Sequence, residues 1–228
     1  MLSKKTKQTN RKFYGKWLYK ASFKLEGAGL FRNKSLDEIE IFCDKSEPPD
    51  RYSVYSIWHR AWNNREPLKE FAVFLKPYDK NIYNLRIEGS LIDVYTNDKE
   101  FYTDISLKFN EILRHRFEPS ESNIGVLESG QNYITVDKLP KGRYNYRVYL
   151  LPHKMKGDSE GKQRYLEWLK KQAPKVTCTT AVEKWFLTTD WNWDRRYILV
   201  EDESTLLMLK LRNSEVVGRI YNFIVSDK

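Results

Sequence analysis

Basic side chains interleaved with aromatic rings are the residues of this chain best suited to chemistry, because such mixtures neutralise phosphates and stack bases. The first twenty residues carry seven lysines and arginines and no acid, and they include Phe13, Tyr14, Trp17 and Tyr19. Localised positive charge of this kind indicates a polyanionic partner. The residues expected to contact phosphate here are Lys4, Lys5, Lys7, Arg11, Lys12 and Lys16.

A second basic stretch, residues 138–175, holds eleven lysines and arginines against three acids. The two stretches carry +7 and +8, which together exceed the +9 of the whole chain, so the remaining residues carry −6. The positive charge is therefore concentrated in two places, and we expect these to converge on one cationic surface. The candidate phosphate contacts in the second stretch are Lys141, Arg143, Arg147, Lys154, Lys156, Lys162, Arg164, Lys170 and Lys171.

A predicted strand over residues 143–150 combines both residue types. A period of two places Arg143, Arg147 and Tyr149 on one face, where they could bind phosphate and stack a base. Residues 141–149 resemble the basic-aromatic strand motif of RNA-recognition domains, which implies a base-stacking sheet. They depart from that motif by one inserted residue, by Asn145 where glycine or alanine is expected, and by Arg147 within the aromatic run. The chain is therefore assigned to no family.

The other predicted stacking residues are tryptophans. Trp168 lies at the edge of a predicted amphipathic helix over residues 160–172, whose outer face carries Arg164, Lys170 and Lys171. Trp191 and Trp193 flank a single asparagine in an unusually Trp-rich segment. These two rings could stack a base, bind a protein partner in self-assembly, or close one end of the core. The predicted basic helix and basic strand could form one continuous patch.

Enzymatic chemistry has little support in the sequence. The three histidines, His59, His115 and His153, lack the cysteine or carboxylate spacing of a zinc site. His153 is the one candidate general base, because Lys154 and Lys156 beside it could stabilise a phosphorane in a metal-independent ribonuclease. The chain has no Walker A sequence and no dinucleotide-binding glycine loop. We expect no metal and no cofactor.

The elements that position these residues predict an α+β fold, with antiparallel sheet and packed helices. Ser35 and Glu38 form a predicted capping box, and Gly89-Ser90 predicts a β-hairpin. Asn97 is the predicted cap of a helix that ends with Arg114, His115 and Arg116. The remaining predicted strands are 15–25, 133–136, 176–187, 197–200 and 219–225, with a short element at 206–211.

A strand followed by an acid-capped helix occurs twice, at residues 92–98 and 197–202. Two ferredoxin-like halves would produce this pattern, and so would convergence on ordinary strand-to-helix chemistry. The predicted organisation is a basic flexible arm (1–12), an N-terminal α+β part (13–117), a loop (118–131) and a C-terminal α+β part (132–228).

Composition sets the class of protein. Hydrophobic residues make up 40% of the 228 residues, charged residues 31% and aromatic residues 14%, with a mean hydropathy of −0.70. These values and the absence of a run of about 20 apolar residues predict a soluble protein with no membrane span. Two distant cysteines, Cys43 and Cys178, indicate a reducing compartment, hence the cytoplasm or a virion.

The leading functional prediction is binding of RNA or DNA without catalysis. The first alternative is a structural or assembly component of a virion or ribonucleoprotein particle, in which the aromatic clusters are protein interfaces. The second alternative is the metal-independent ribonuclease.

Overall fold

Each half of the chain is built around its own five-stranded sheet. The computed structural model describes residues 6–48, 57–130, 132–155, 158–187 and 196–225. The chain divides into two units, Met1–Ser120 (unit 1) and Glu121–Lys228 (unit 2). Strands and helices occur in both units, so the α+β prediction is confirmed.

Unit 1 contains the strands and helices of the first half of the chain. They are β1 (Thr6–Thr9), β2 (Tyr19–Lys24), α1 (Leu36–Cys43), α2 (Ile57–Asn63), α3 (Arg65–Leu75), β3 (Tyr83–Glu88), β4 (Leu91–Thr96), α4 (Lys99–Lys108) and β5 (Leu113–Pro119). The sheet order is β1-β5-β2-β4-β3. Strand β1 is parallel to β5, and the other neighbours are antiparallel.

Unit 2 repeats this arrangement. Its elements are α5 (Glu121–Glu128), β6 (Tyr133–Val136), β7 (Tyr146–Leu150), α6 (Ser159–Lys171), β8 (Val176–Cys178), α7 (Thr180–Leu187), β9 (Tyr197–Val200), α8 (Glu203–Asn213) and β10 (Val217–Val225). The sheet order is β6-β10-β7-β9-β8, again with the first strand parallel to the last. Without β1 and β6, the four remaining strands of each unit have the spatial order of a ferredoxin-like sheet, which fits the two-half prediction. Unit 2 differs by the additional helix α7 between β8 and β9.

The two units match residue by residue over their shared strands. Adding 127 to the residue numbers of Thr6–Phe23 gives Tyr133–Leu150, and this shift carries β1 onto β6 and β2 onto β7. Adding 104 carries β4, α4 and β5 onto β9, α8 and β10. Tyr14 and Gly15 have φ of 53° and 70°, and their counterparts Lys141 and Gly142 have φ of 51° and 73°. The repeat therefore extends to the left-handed turn before the central strand.

The same helix cap occurs in both units. The side chain of Asp98 accepts a hydrogen bond from the Phe101 amide, and that of Asp202 accepts one from the Thr205 amide. The prediction of Asn97 as the cap is wrong, because the Asn97 side chain instead accepts a hydrogen bond from the Leu18 amide. The capping box of Ser35 and Glu38 and the hairpin at Gly89 are confirmed.

Several predicted boundaries differ from the observed ones. Residues 114–116 lie in β5 rather than in a helix end, because the helix already stops at Phe109. The run 176–187 divides into β8 and α7, since Val182, Trp185 and Phe186 recur at helical spacing and are buried.

Two segments predicted to be irregular contain regular structure. The predicted loop 118–131 contains helix α5, whose Leu127 is fully buried and whose helix packs on β6. Tertiary packing there overrides the weak helix propensity of its Ser, Asn and Gly residues. The predicted arm 1–12 contains β1, which gains backbone hydrogen bonds by pairing with β5.

Helices α6, α7 and α8 of unit 2 cover one face of its sheet. Residues of α6, α7 and α8 form a core with Val148, Leu150, Ile198 and Val200. None of the helices in the described ranges is both long and apolar enough to cross a membrane.

Candidate nucleic-acid interface

The face of the unit 2 sheet that points away from α6, α7 and α8 carries the candidate site. Because side chains alternate along β7, Val148 and Leu150 enter the helix-side core while Arg147 and Tyr149 project from the other face. The Tyr149 ring lies 5.8 Å from the ring of Tyr197 on β9 and 5.8 Å from the ring of Tyr221 on β10. We call this surface the aromatic face.

One part of the aromatic face is closed by the chain itself. Leu139 and Tyr144, which lie between β6 and β7, pack with Leu199 and Phe223 in a small second cluster. The Tyr144 hydroxyl donates to the Pro174 carbonyl at 2.9 Å, which fixes this crossing segment. Arg147, Tyr149 and Tyr197 stay half-buried.

The Arg147 guanidinium lies in the middle of this face. Its central carbon is 4.4 Å from the centroid of the Tyr197 ring and 5.3 Å from that of Phe223. Such contacts hold a cation by the negative faces of the rings without removing its charge. Strands β6 to β10 contain no Asp or Glu, and in the described ranges no carboxylate forms an ion pair with Arg147. Among the described residues, therefore, no carboxylate neutralises the charge of Arg147.

Other cations lie near the rim of the aromatic face. Arg219 donates to the Tyr221 hydroxyl at 3.0 Å and is exposed. Lys141 donates to the Thr177 hydroxyl at 3.3 Å. Arg143 pairs with Glu201 at 2.6 Å, and this hydrogen bond raises the pKa of Arg143. Of these three, Arg143 has its charge neutralised.

The predicted basic residues of α6 lie on the opposite side of the sheet. Because α6 packs on the Val148 side of β7, its residues do not share a surface with Arg147 and Tyr149, and the strand and helix do not form the expected continuous patch. Lys162 is buried with its ammonium 5.0 Å from the Trp185 ring, which makes it a poor phosphate contact.

Two other basic side chains of α6 lie beside acids, and its tryptophan packs inward. Arg164 lies 3.8 Å from Glu160, and Lys170 lies 3.7 Å from Glu183. Trp168 stacks on Tyr165, with ring centroids 5.7 Å apart, so its ring belongs to the core margin. Lys154 and Lys171 are exposed.

Five predicted contacts lie outside the described residues: Lys4, Lys5, Lys156, Trp191 and Trp193. The side chain of His153 does too, so the ribonuclease alternative stays a prediction. In unit 1, the Lys7 ammonium lies 5.7 Å from the Phe117 ring and that of Lys16 lies 4.3 Å from the Trp17 ring, while Arg11 and Lys12 are half-buried.

Unit 1 has a counterpart of the aromatic face with different chemistry. Lys20, the equivalent of Arg147, lies 5.5 Å from the Tyr95 ring and 5.4 Å from the Phe117 ring. Its ammonium is also 2.7 Å from the Asp93 carboxylate, which accepts a hydrogen bond from Ser22 at 2.5 Å. Ser22 and Asp93 occupy the positions of Tyr149 and Tyr197. Unit 1 therefore replaces the stacking pair with a neutralising carboxylate.

Two aromatic residues of the N-terminal segment pack over this unit 1 surface. The Phe13 ring lies 5.7 Å from Tyr95 and 5.8 Å from Phe117, and the Tyr14 hydroxyl accepts a hydrogen bond from Arg86 at 2.7 Å. Burial is the largest cause that raises the pKa of Tyr95, followed by Tyr14. Phe13 and Tyr14 thus partly close the unit 1 surface, on which Asp93 neutralises Lys20.

Sequence reasoning missed Tyr197, Tyr221 and Arg219. The alternation of Arg219, Tyr221 and Phe223 along β10 was the available signal, because these residues share one face of the strand. In the described ranges, no group of three or more metal-ligating side chains converges. No family model, no curated protein and no solved structure matches the chain.

Proposed function

We propose that the protein binds single-stranded nucleic acid without catalysis, on the aromatic face of unit 2. The observation that carries this proposal is the charge of Arg147, which no carboxylate among the described residues neutralises and which lies between rings on a face whose strands contain no acid. Tyr149 and Tyr197 lie on the two central strands, the positions from which aromatic rings stack bases in four-stranded RNA-binding sheets.

The ligand is expected to be single-stranded because base stacking on a protein ring requires a base that has left its own stack. Arg219 and Lys141 would contact phosphates at the rim. The basic N-terminal segment, including Lys7, Lys12 and Lys16, would add contacts that are independent of sequence. Convergence of that segment with unit 2 remains a prediction.

Binding of short fluorescent RNA and DNA strands, measured by anisotropy across a salt series, tests the proposal. The logarithm of the affinity should fall linearly with the logarithm of the salt concentration, because each neutralised phosphate releases counterions. Tyr149→Leu and Tyr197→Leu should each cost about 1–3 kcal/mol of binding free energy by removing a stacking ring. Leucine keeps most of the apolar burial and so protects the fold.

Tyr165→Leu is not a suitable control, because Tyr165 lies in the helix-side core. Lys171→Gln is the matched control, since Lys171 is exposed on the other side of the same sheet. An affinity that does not change with salt concentration, or that is unchanged when both tyrosines are replaced, would contradict the proposal. Equal affinities for a duplex and for the single strand would exclude base stacking on the tyrosines as the source of the binding free energy.

A further inference from the structure

Unit 2 has a solvent-open pocket on the helix side of its sheet, which we call the cavity and which is unrelated to the aromatic face. Its volume is about 450 Å³, within the range of small-ligand pockets. Tyr146 of β7, Ile220 and Asn222 of β10, and Leu206 and Lys210 of α8 line it. Gly130, Asn132 and Glu203 complete the rim.

Unit 1 fills the equivalent space with its own side chains. Tyr102, the counterpart of Leu206, stacks on Tyr19, the counterpart of Tyr146, with ring centroids 4.9 Å apart and an interplanar angle of 30°. Arg116, the counterpart of Ile220, lies 4.7 Å above the Tyr102 ring. Arg116 also lies 3.8 Å from Glu118, which corresponds to Asn222. In unit 1 the flat ring of Tyr102, stacked on Tyr19, therefore fills the space that is open in unit 2.

The two smaller side chains of unit 2 explain its cavity. Leu206 and Ile220 lack the ring of Tyr102 and the guanidinium of Arg116, yet the helix and strands that carry them begin at equivalent residues. Tyr146 is only half-buried, whereas its counterpart Tyr19 is buried under Tyr102. One aromatic face of Tyr146 is therefore left without the ring that covers it in unit 1.

The polar rim indicates which flat molecule fits. Asn222 and Asn132 each offer an amide with both donors and an acceptor, the groups that pair with the edge of a nucleobase. The Lys210 ammonium is exposed on α8 and can bind a phosphate, which its counterpart Ser106, fully buried, cannot. Leu206 and Ile220 supply apolar contact to the ring.

From this internal comparison we infer that the unit 2 cavity binds a mononucleotide, with its base stacked on Tyr146 and its phosphate at Lys210. The base takes the place that the Tyr102 ring occupies in unit 1. This site is separate from the proposed oligonucleotide surface, because Tyr146 and Tyr149 project from opposite faces of β7. The inference therefore does not depend on the proposed function.

The test is isothermal titration of the full-length protein with each of the four 5′-ribonucleoside monophosphates. At least one is expected to bind saturably at millimolar concentration or below. The variant Leu206→Tyr/Ile220→Arg restores the filling of unit 1, and we expect it to weaken this binding at least tenfold. Asn222→Glu, a half-exposed change toward the unit 1 residue, is expected to weaken it as well and serves if the double variant does not fold.

Two further measurements separate this site from the aromatic face. Tyr149→Leu should leave mononucleotide binding unchanged, and Leu206→Tyr/Ile220→Arg should leave oligonucleotide binding unchanged. The inference is overturned if none of the four mononucleotides saturates the protein, or if both pocket variants bind like the wild type. Loss of mononucleotide binding in Tyr149→Leu alone would also overturn it, because the ligand would then lie on the aromatic face.

Discussion

Lys20 and Arg147 occupy the same position in two copies of one fold, yet within the part of the chain that the structure describes only Lys20 pairs with a carboxylate. Each cation lies on the second strand of its unit between aromatic rings of the neighbouring strands. Asp93 holds Lys20 at 2.7 Å, whereas Tyr197, which corresponds to Asp93, offers a ring to Arg147 instead. The repeated fold therefore holds a cation neutralised by Asp93 in unit 1 and, among the described residues, a cation without a carboxylate partner in unit 2.

The variant Arg147→Gln should weaken binding of single-stranded nucleic acid about tenfold, equivalent to about 1.4 kcal/mol. Glutamine keeps a polar side chain but loses the charge that would meet a phosphate. The slope of log affinity against log salt should fall by about 0.7, the value for one phosphate contact on a single strand. Anisotropy titrations at several salt concentrations measure both quantities.

Arg164→Gln is the matched control for this variant. Arg164 is exposed on α6, on the other side of the same sheet, and lies 3.8 Å from Glu160. Removing it changes the net charge by the same amount. Equal losses in the two variants would mean that net charge, and not the aromatic face, drives binding.

The Asp93→Asn variant should destabilise unit 1 by about 1–3 kcal/mol, because a partly buried ammonium and a buried hydroxyl lose their charged acceptor. The side chains of Lys20 and Asp93 are only 18% and 14% exposed. Urea unfolding followed by circular dichroism measures the loss. Glu88→Gln, which breaks the exposed pair of Glu88 and Arg86, should cost less than about 1 kcal/mol.

Comparable losses in Asp93→Asn and Glu88→Gln would show that the Lys20 pair is as well solvated as a surface ion pair. The Asp93→Asn variant also tests whether the carboxylate prevents unit 1 from binding an oligonucleotide. If its oligonucleotide affinity rises, the carboxylate is what keeps the unit 1 surface from holding an anion.

Lys162→Met should leave nucleic-acid affinity within about twofold of the wild type, a change of about 0.4 kcal/mol. The Lys162 side chain is buried against Trp185, so it does not present its charge to a ligand. The same anisotropy assay measures this. A loss as large as that of Arg147→Gln would place the phosphate path on the α6 side of unit 2.

The α+β class, the hairpin at Gly89 and the Ser35 capping box follow from the sequence because each depends on local chemistry. The ends of strands and helices that are set by tertiary packing do not follow from the sequence. Strand β1 consists of four polar residues whose order comes from pairing with β5, and no period within them signals it. The repeat was detectable only in part, since Asp98 and Asp202 mark equivalent helix starts while most other equivalent residues differ.

The candidate site was predicted in the same uneven way. The alternation of side chains along β7 correctly predicts that Arg147 and Tyr149 lie on the opposite face of the strand from Val148. This alternation does not show which face of the sheet the helices cover. The sequence therefore predicts α6 on the same surface as Arg147, whereas α6 packs on the opposite face of the sheet. The partners of Tyr149 come from β9 and β10, and only the sheet order brings those distant residues together.

The capping box of α1 should make the stability of unit 1 depend on pH in the acid range. Hydrogen bonds from Lys34 and Ser35 lower the pKa of Glu38 from 4.5 to about 2. Because the folded pKa is the lower one, the stabilisation is present above the unfolded pKa and is lost as pH falls from about 4.5 toward 2. Glu38→Gln should remove that part of the pH dependence, which urea unfolding at a series of pH values measures. Glu70→Gln, at an exposed acid of α3 that has no ion pair among the described residues, is the control and should retain the wild-type decline between those two pH values. A Glu38→Gln profile that still parallels the wild type would mean that the capping hydrogen bonds are equally formed in the unfolded chain.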